Sequence, residues 1–298
     1  MSRAHQRNRQ ARLLAKHLSI VALLLVILYP ILCIILMSLN PHASLNASVL
    51  PSEFSLQHWK YILSIPYTDS VSGEVVTSPF PIALWLFNSL KIAFSASFLM
   101  LFLSTTAAYA LSRFPFRGRN ASLLTLMLIQ MFPSIMAMVA FYLMLDKLGN
   151  TFSSLGTDTH LGLILVYLGG TPFNIWLIKG YFDTIPKSIE EAAIMDGCTR
   201  FQAFLKIVLP LSAPILAVVG LLTFIGTFSD FILPSILLKS QDKLTFAVGI
   251  QIFISESFSS RWGQFAAACV LGSIPISVVF YSIHKYIVSG LSMGGAKG

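Results

Sequence analysis

Six stretches of this chain carry no Asp, Glu, Lys or Arg and run apolar throughout: residues 18–39, 92–112, 121–145, 161–178, 211–229 and 265–283. Each is at least 18 residues long, enough to cross a bilayer as a helix. The strands of a transmembrane barrel would instead alternate in polarity over about ten residues, so a barrel is excluded. The rest of the composition agrees. Charged residues make up only 11% of the 298 and mean hydropathy is +0.77, whereas a water-facing domain carries about 25% charged residues. The expected fold class is an all-α polytopic membrane protein with six transmembrane helices.

The first apolar run follows a basic segment (Arg3, Arg7, Arg9, Arg12, Lys16) and superficially resembles a secretory signal. Signal cores are about 7–15 residues, so the longer run reads as an uncleaved first span. Orientation follows from Lys and Arg. One side collects those five with Arg113, Arg117, Arg119, Lys179, Lys187, Arg200, Lys206, Lys285 and Lys297. The other holds Lys60, Lys147, Lys239, Lys243 and Arg261, and Lys91 sits at a membrane edge. That imbalance puts both termini in the cytoplasm. It also accounts for the net charge of +8 without nucleic acid. Cys33, Cys198 and Cys269 are too scattered for a disulfide framework or a metal site, and no cofactor is expected.

The expected organisation is a basic cytoplasmic segment (1–17), a first transmembrane helix (18–39) and a long periplasmic or extracellular loop (40–83). A five-helix core (84–288) and a cytoplasmic tail (289–298) follow. Five prolines interrupt the outer loop and argue against a seventh span. Five of the six spans carry a proline (Pro30, Pro133, Pro172, Pro214, Pro275), each expected to free a carbonyl and bend its helix.

Inside, the connection with substance is 186–210. Ser188 with Glu191, and Thr199 with Gln202, have capping-box spacing, and Gly197 stands where the first helix must stop. Two short helices and a tight turn are expected, with Pro210 at the entry to the fifth span. Phe201, Phe204, Leu205 and Val208 would share one face of the second helix. Such a stripe either docks on a partner or packs on the chain's own span ends. A DNA-binding helix pair is less credible still, because the hairpin adjoins membrane on both sides and Ser188–Val208 offers only Arg200 and Lys206 for phosphates.

Glu191-Ala192-Ala193, three residues, Gly197, nine residues, then Ile207-x-Leu209-Pro210 matches the EAA signature at every fixed position. By that signature the chain resembles the permease subunits of binding-protein-dependent type I ABC importers. Pro81 to Trp85, Asn88-Ser89, Gln130 to Pro133, Tyr167 to Gly170, Ile178 to Phe182 and Gly294 to Gly298 are similar to the maltose/maltodextrin branch. The resemblance implies a bacterial inner-membrane permease and four kinds of partner. These are a second, MalF-like permease subunit, two copies of an ATPase subunit, an extracytoplasmic sugar-binding protein, and membrane lipid. It further implies that Glu190, Glu191, Ala192, Ala193, Gly197, Phe201, Phe204, Ile207, Leu209 and Pro210 couple the chain to the ATPase. The last outer loop, near 254–260, would reach the binding protein, and residues 294–298 the ATPases.

A sugar pathway needs hydrogen-bonding groups and flat rings. Gln130, Asn174, Thr223 and Thr227 offer the first, and Phe224 and Phe228, one helical turn apart, offer the second; the rings otherwise pack against neighbours. Lys91 and Asp230 are read as edge charges that anchor or pair with each other. No phosphate-cradling or hydrolase motif is present, so ATP hydrolysis is assigned to another subunit and the chain is not an enzyme. The competing class is an ion-coupled secondary transporter. It would place carboxylates near the midplane, and Asp230, alone and at an edge, is thin support for it. An ABC permease for a different sugar is the other alternative.

Overall fold

In the computed structural model, residues 3–44, 50–51, 53–68, 73–255 and 261–295 are described. In order, the helices are α1 (Arg3–Leu39), α2 (Gln57–Ile62), α3 (Ile82–Arg113), α4 (Arg119–Gln130), α5 (Ser134–Thr151), α6 (His160–Tyr167), α7 (Thr171–Thr184) and α8 (Lys187–Met195). They continue with α9 (Arg200–Ala203), α10 (Leu209–Leu211), α11 (Ala213–Ser229), α12 (Ile232–Leu237), α13 (Phe246–Ile250) and α14 (Trp262–Gly295). A π turn, Phe204–Val208, joins α9 to α10. One short antiparallel pair, β1 (Tyr67–Thr68) with β2 (Val75–Val76), places Tyr67 opposite Val76.

Four helices are long and apolar enough to cross a membrane, and two bent pairs raise the number to as many as six. The bends fall beside Pro133 and Pro214, in the third span and at the entry to the fifth. Between α4 and the helix after Pro133 the chain turns by 98°, and at Ser212 it turns by 75°. The prolines also divide. Pro30 and Pro275 lie inside helices, whereas Pro172 and Pro214 occupy first turns and Pro133 precedes α5. At a helix start proline's missing N–H costs nothing and its fixed φ suits the first turn. Three of the five therefore stand at helix starts, and Pro133 and Pro214 do so at the two bends.

The chain forms two compact units. Met1–Ile82 with Ile250–Ser273 is one, and Ala83–Gly249 with Ile274–Gly298 is the other. This grouping joins 250–273 to the first outer loop, where the sequence reading kept 84–288 as one core. In the first unit Trp59 donates to Ser38 Oγ at 3.2 Å, and His58 Nε2 meets the Asn40 carbonyl at 2.9 Å. Arg261 donates to the Tyr61 hydroxyl at 2.5 Å with its guanidinium 5.6 Å from that ring. The apolar run of α1, by contrast, is exposed over most of its length.

In the second unit the main core gathers Ala108 and Leu111 of α3, Ile175, Ile178 and Phe182 of α7, Phe204 and Val208, and Val219 of α11. A second lock joins the start of α3 to the segment before α13. Trp85 Nε1 donates to the Gln241 carbonyl (2.7 Å), and Asn88 Nδ2 to the carbonyls of Asp242 (2.9 Å) and Leu244 (3.1 Å). The Phe246 N–H returns to Ser89 Oγ at 2.8 Å. Gly249 lies against Trp85 so closely that a Cβ there would stand 2.1 Å from the indole. The same segment is held by Asp158, whose carboxylate accepts from the N–H groups of Lys239 and Ser240, from Ser240 Oγ and from Lys243 Nζ.

Candidate functional site

The hairpin 186–210 ends its first helix as its sequence demands. Gly197 adopts φ +91°, in the left-handed region. Its N–H bonds the Ile194 carbonyl and the Cys198 N–H bonds the Ala193 carbonyl, both at 3.0 Å. That pair of bonds is the Schellman arrangement, which closes the orphan carbonyls of a helix end. Thr199 opens the next helix with a full capping box: Gln202 N–H donates to Thr199 Oγ1 (3.2 Å) and Thr199 N–H to Gln202 Oε1 (2.9 Å). The box expected at Ser188 is not made. Pro186 stands at the cap position and α8 starts at Lys187, so Ser188 is already inside the helix.

Glu190 is the site's buried charge. Its side chain is 8% exposed and forms an ion pair with Arg113 at the end of α3. Tyr109 donates to its other oxygen at 3.1 Å, while Arg113 also donates to the Ile185 carbonyl at 3.2 Å. Next to Arg113 in the chain, Ser112 donates to Asp183 (2.6 Å), which Lys179 bridges. A buried ion pair is weak evidence for net stability, but removing one partner strands the other and is costly. The hairpin is thereby pinned to the end of the second apolar helix. Sequence reasoning grouped Glu190 with the outward coupling residues and did not single out Tyr109 or Arg113. The only legible trace of Arg113 was the basic cluster after residue 112, and Tyr109 lay unmarked in the apolar run.

The apolar stripe splits. Phe204 and Val208 are buried in the core, and the Phe204 ring lies 4.5 Å from that of Tyr109. Phe204 thus packs inside the chain, apart from the exposed part of the stripe. Phe201 remains 68% exposed and Leu205 is exposed. Met195, which the sequence reading passed over, is 87% exposed at the end of α8. Glu191 and Ala192 face outward with them, Ala193 is buried, Ile207 and Leu209 are half-buried, and Pro210 is exposed. The hairpin therefore shows water an apolar surface centred on Met195 and Phe201, carried on rigidly capped helices.

Among the polar candidates, Gln130, Thr223, Thr227 and Asp230 line one cavity of about 1370 Å³, together with Tyr167. Its walls come from α3 to α6, α11 and α12 and are otherwise largely apolar. Phe224 and Phe228 do not serve it. They stack on each other at 5.7 Å, buried against Ala93 of α3, and so pack as core. Asn174 is buried elsewhere, with its Nδ2 lacking a hydrogen-bond partner among the described residues. Of the two alternatives for Lys91 and Asp230, edge anchoring or mutual pairing, the pairing is not found among the described residues. Asp230 instead accepts from the Tyr167 hydroxyl and from the Ile232 N–H, each at 3.0 Å; Lys91 is exposed on α3. Of the terminal contacts expected for a binding protein and ATPases, residues 256–260 and 296–298 lie outside the described residues. Among the described residues no group of His, Cys, Asp and Glu could hold a metal ion.

Residues 100–293 match the family model described as "Binding-protein-dependent transport system inner membrane component". The chain is 43% identical over all 298 residues, and over the full length of the relative, to the maltose/maltodextrin transport system permease protein MalG of Photorhabdus laumondii subsp. laumondii. Among solved structures it is similar to a chain of a bacterial ABC transporter involved in the import of the acidic polysaccharide alginate. That match has a TM-score of 0.73 and 26% identity and covers 96% of this chain and 98% of the other. A structure of a bacterial alginate ABC transporter in complex with an alginate pentasaccharide-bound periplasmic protein shares the fold, with a TM-score of 0.64, 16% identity and 94% of each chain covered.

Proposed function

The chain belongs to the family of binding-protein-dependent transport system inner membrane components, and from that premise we propose that it carries maltose/maltodextrin-type oligosaccharides. It is a permease subunit of a sugar ABC importer, and ATP hydrolysis belongs to a separate subunit. The full-length identity to a maltose/maltodextrin permease is the observation that carries the sugar. A MalF-like second permease, two ATPase subunits and an extracytoplasmic binding protein complete the machine. The excess of Lys and Arg on one set of loops supports cytoplasmic termini, which puts hairpin 186–210 on the ATPase side.

Coupling runs through that hairpin. An exposed apolar patch on capped helices suits a cleft in a partner, since Met195 and Phe201 gain only by being covered. Glu190, Arg113 and Tyr109 tie the hairpin to α3, and α3 and α11 both reach the cavity. Force applied at the patch is thereby passed to the walls around the sugar.

The test is uptake in proteoliposomes that contain the chain, a second permease, the ATPase and the binding protein. Maltodextrin should accumulate only with ATP inside and with all four components present. Accumulation driven by an ion gradient without ATP would make the chain a secondary transporter and overturn the reading.

A further inference from the structure

The cavity wall has a chemical polarity of its own. Thr223 gives its proton to the carbonyls of Val219 and Gly220, and Thr227 gives its proton to those of Thr223 and Phe224. Tyr167 spends its proton on Asp230. What these groups still offer the cavity is oxygen lone pairs. A carboxylate has about four acceptor sites, and Asp230 uses one on Tyr167 and one on the Ile232 N–H. Gln130 supplies the one uncommitted amide, and no Lys, Arg or His lines the cavity among the described residues. The wall thus accepts hydrogen bonds and holds one carboxylate with no cationic side chain beside it among the described residues.

We propose that Asp230, braced by Tyr167, filters the transported sugar by charge: this wall takes hydroxyl donors from a neutral oligosaccharide and turns away acidic, uronate-bearing ones. The proposal rests on the reading of the chain as a sugar permease. A hydroxyl-rich chain brings donors to Asp230, Thr223 and Thr227 wherever it lies along the wall. A uronate brings a second negative charge beside the half-buried Asp230, with no cationic lining residue among those described to offset it. Like charges a few ångströms apart repel strongly enough there to change passage about tenfold.

The test compares a neutral maltooligosaccharide with the same oligosaccharide oxidised at one C6 to a carboxylate. Each is loaded beforehand to equal occupancy on the binding protein, so that only passage is compared in proteoliposomes holding the complete importer. The wild-type complex should prefer the neutral sugar. Asp230→Asn should raise the acid-to-neutral uptake ratio about tenfold, while Asp230→Glu should keep the wild-type ratio. Salt gives a readout that needs no variant: raising ionic strength from about 0.01 M to 1 M, which shortens the screening length from about 30 to 3 Å, should raise the ratio in wild type and leave it flat in Asp230→Asn. An unchanged ratio in an assembled Asp230→Asn complex that still carries the neutral sugar overturns the filter alone, as does a salt-independent ratio in wild type. A wild-type complex that carries neither sugar overturns the transport reading, and the filter with it.

Discussion

Two phenylalanines three residues apart meet opposite fates. Phe204 is 6% exposed and packed on Tyr109, whereas Phe201 is 68% exposed. Truncating a buried phenylalanine costs about 3–5 kcal/mol, and surface changes usually stay within about 0.5 kcal/mol. Phe204→Ala should therefore lower the amount of chain in the membrane. Phe201→Ala should leave that amount unchanged and reduce ATPase co-purification and transport together. Immunoblots of membranes beside pull-downs of the ATPase check both, and normal co-purification with Phe201→Ala would remove the patch from the coupling surface. Local rules made much of this hairpin readable: Gly197 and the Thr199–Gln202 box depend on neighbours in sequence, and both occur as the spacing demands. The division of the stripe was not readable. Phe201 and Leu205 form one line along the helix and Phe204 and Val208 another about 60° round from it, and the edge of the core falls between them. A face counted at ordinary helical spacing therefore merged residues that the fold separates.

Among the elements, the segment leading from α12 to α13 depends on one carboxylate that lies in a connection outside the apolar runs. Burial alone would raise the Asp158 pKa. The bonds it accepts from Ser240, Lys239 and Lys243 outweigh this and hold it well below the ordinary carboxylate value. A group whose folded pKa is depressed stabilises the fold fully above its unfolded pKa, and that contribution is lost as pH falls through the folded pKa. The detergent-solubilised protein should thus hold a constant contribution from Asp158 above about pH 5 and lose it progressively below about pH 4. Asp158→Asn should lower Tm by about 2–4 °C at pH 7 and leave a flatter acid limb. Thermal scans from neutral to acid pH measure both, and parallel acid limbs would refute the role. The elements themselves were legible to unequal degrees. An apolar run announces a membrane segment by composition, and all six runs contain helix. The prolines announced bends, but not that α4 and α5 meet at 98° around Pro133 or that the chain turns by 75° at Ser212, because the angle depends on which neighbouring groups satisfy the freed backbone.

Taken whole, the molecule makes a statement about sidedness that a reporter can read. A cytoplasm-sensing fusion after Gly298 should be active, and an outside-sensing insertion at Gly73 should be active as well. Inactivity at either position would reverse the assignment made from Lys and Arg. The lock around Trp85 and Asn88 carries a different consequence, one about time. Asn88 is 2% exposed, and its amide donates to carbonyls 154 and 156 residues further along the chain. At about 5–20 residues per second of synthesis, the ribosome needs roughly 8–30 seconds after Asn88 is made to deliver those carbonyls. Throughout that interval the nascent α3 holds an amide without its final acceptors, and the insertion machinery must keep it wetted or paired. The birth of this protein in the membrane is paced by its last third.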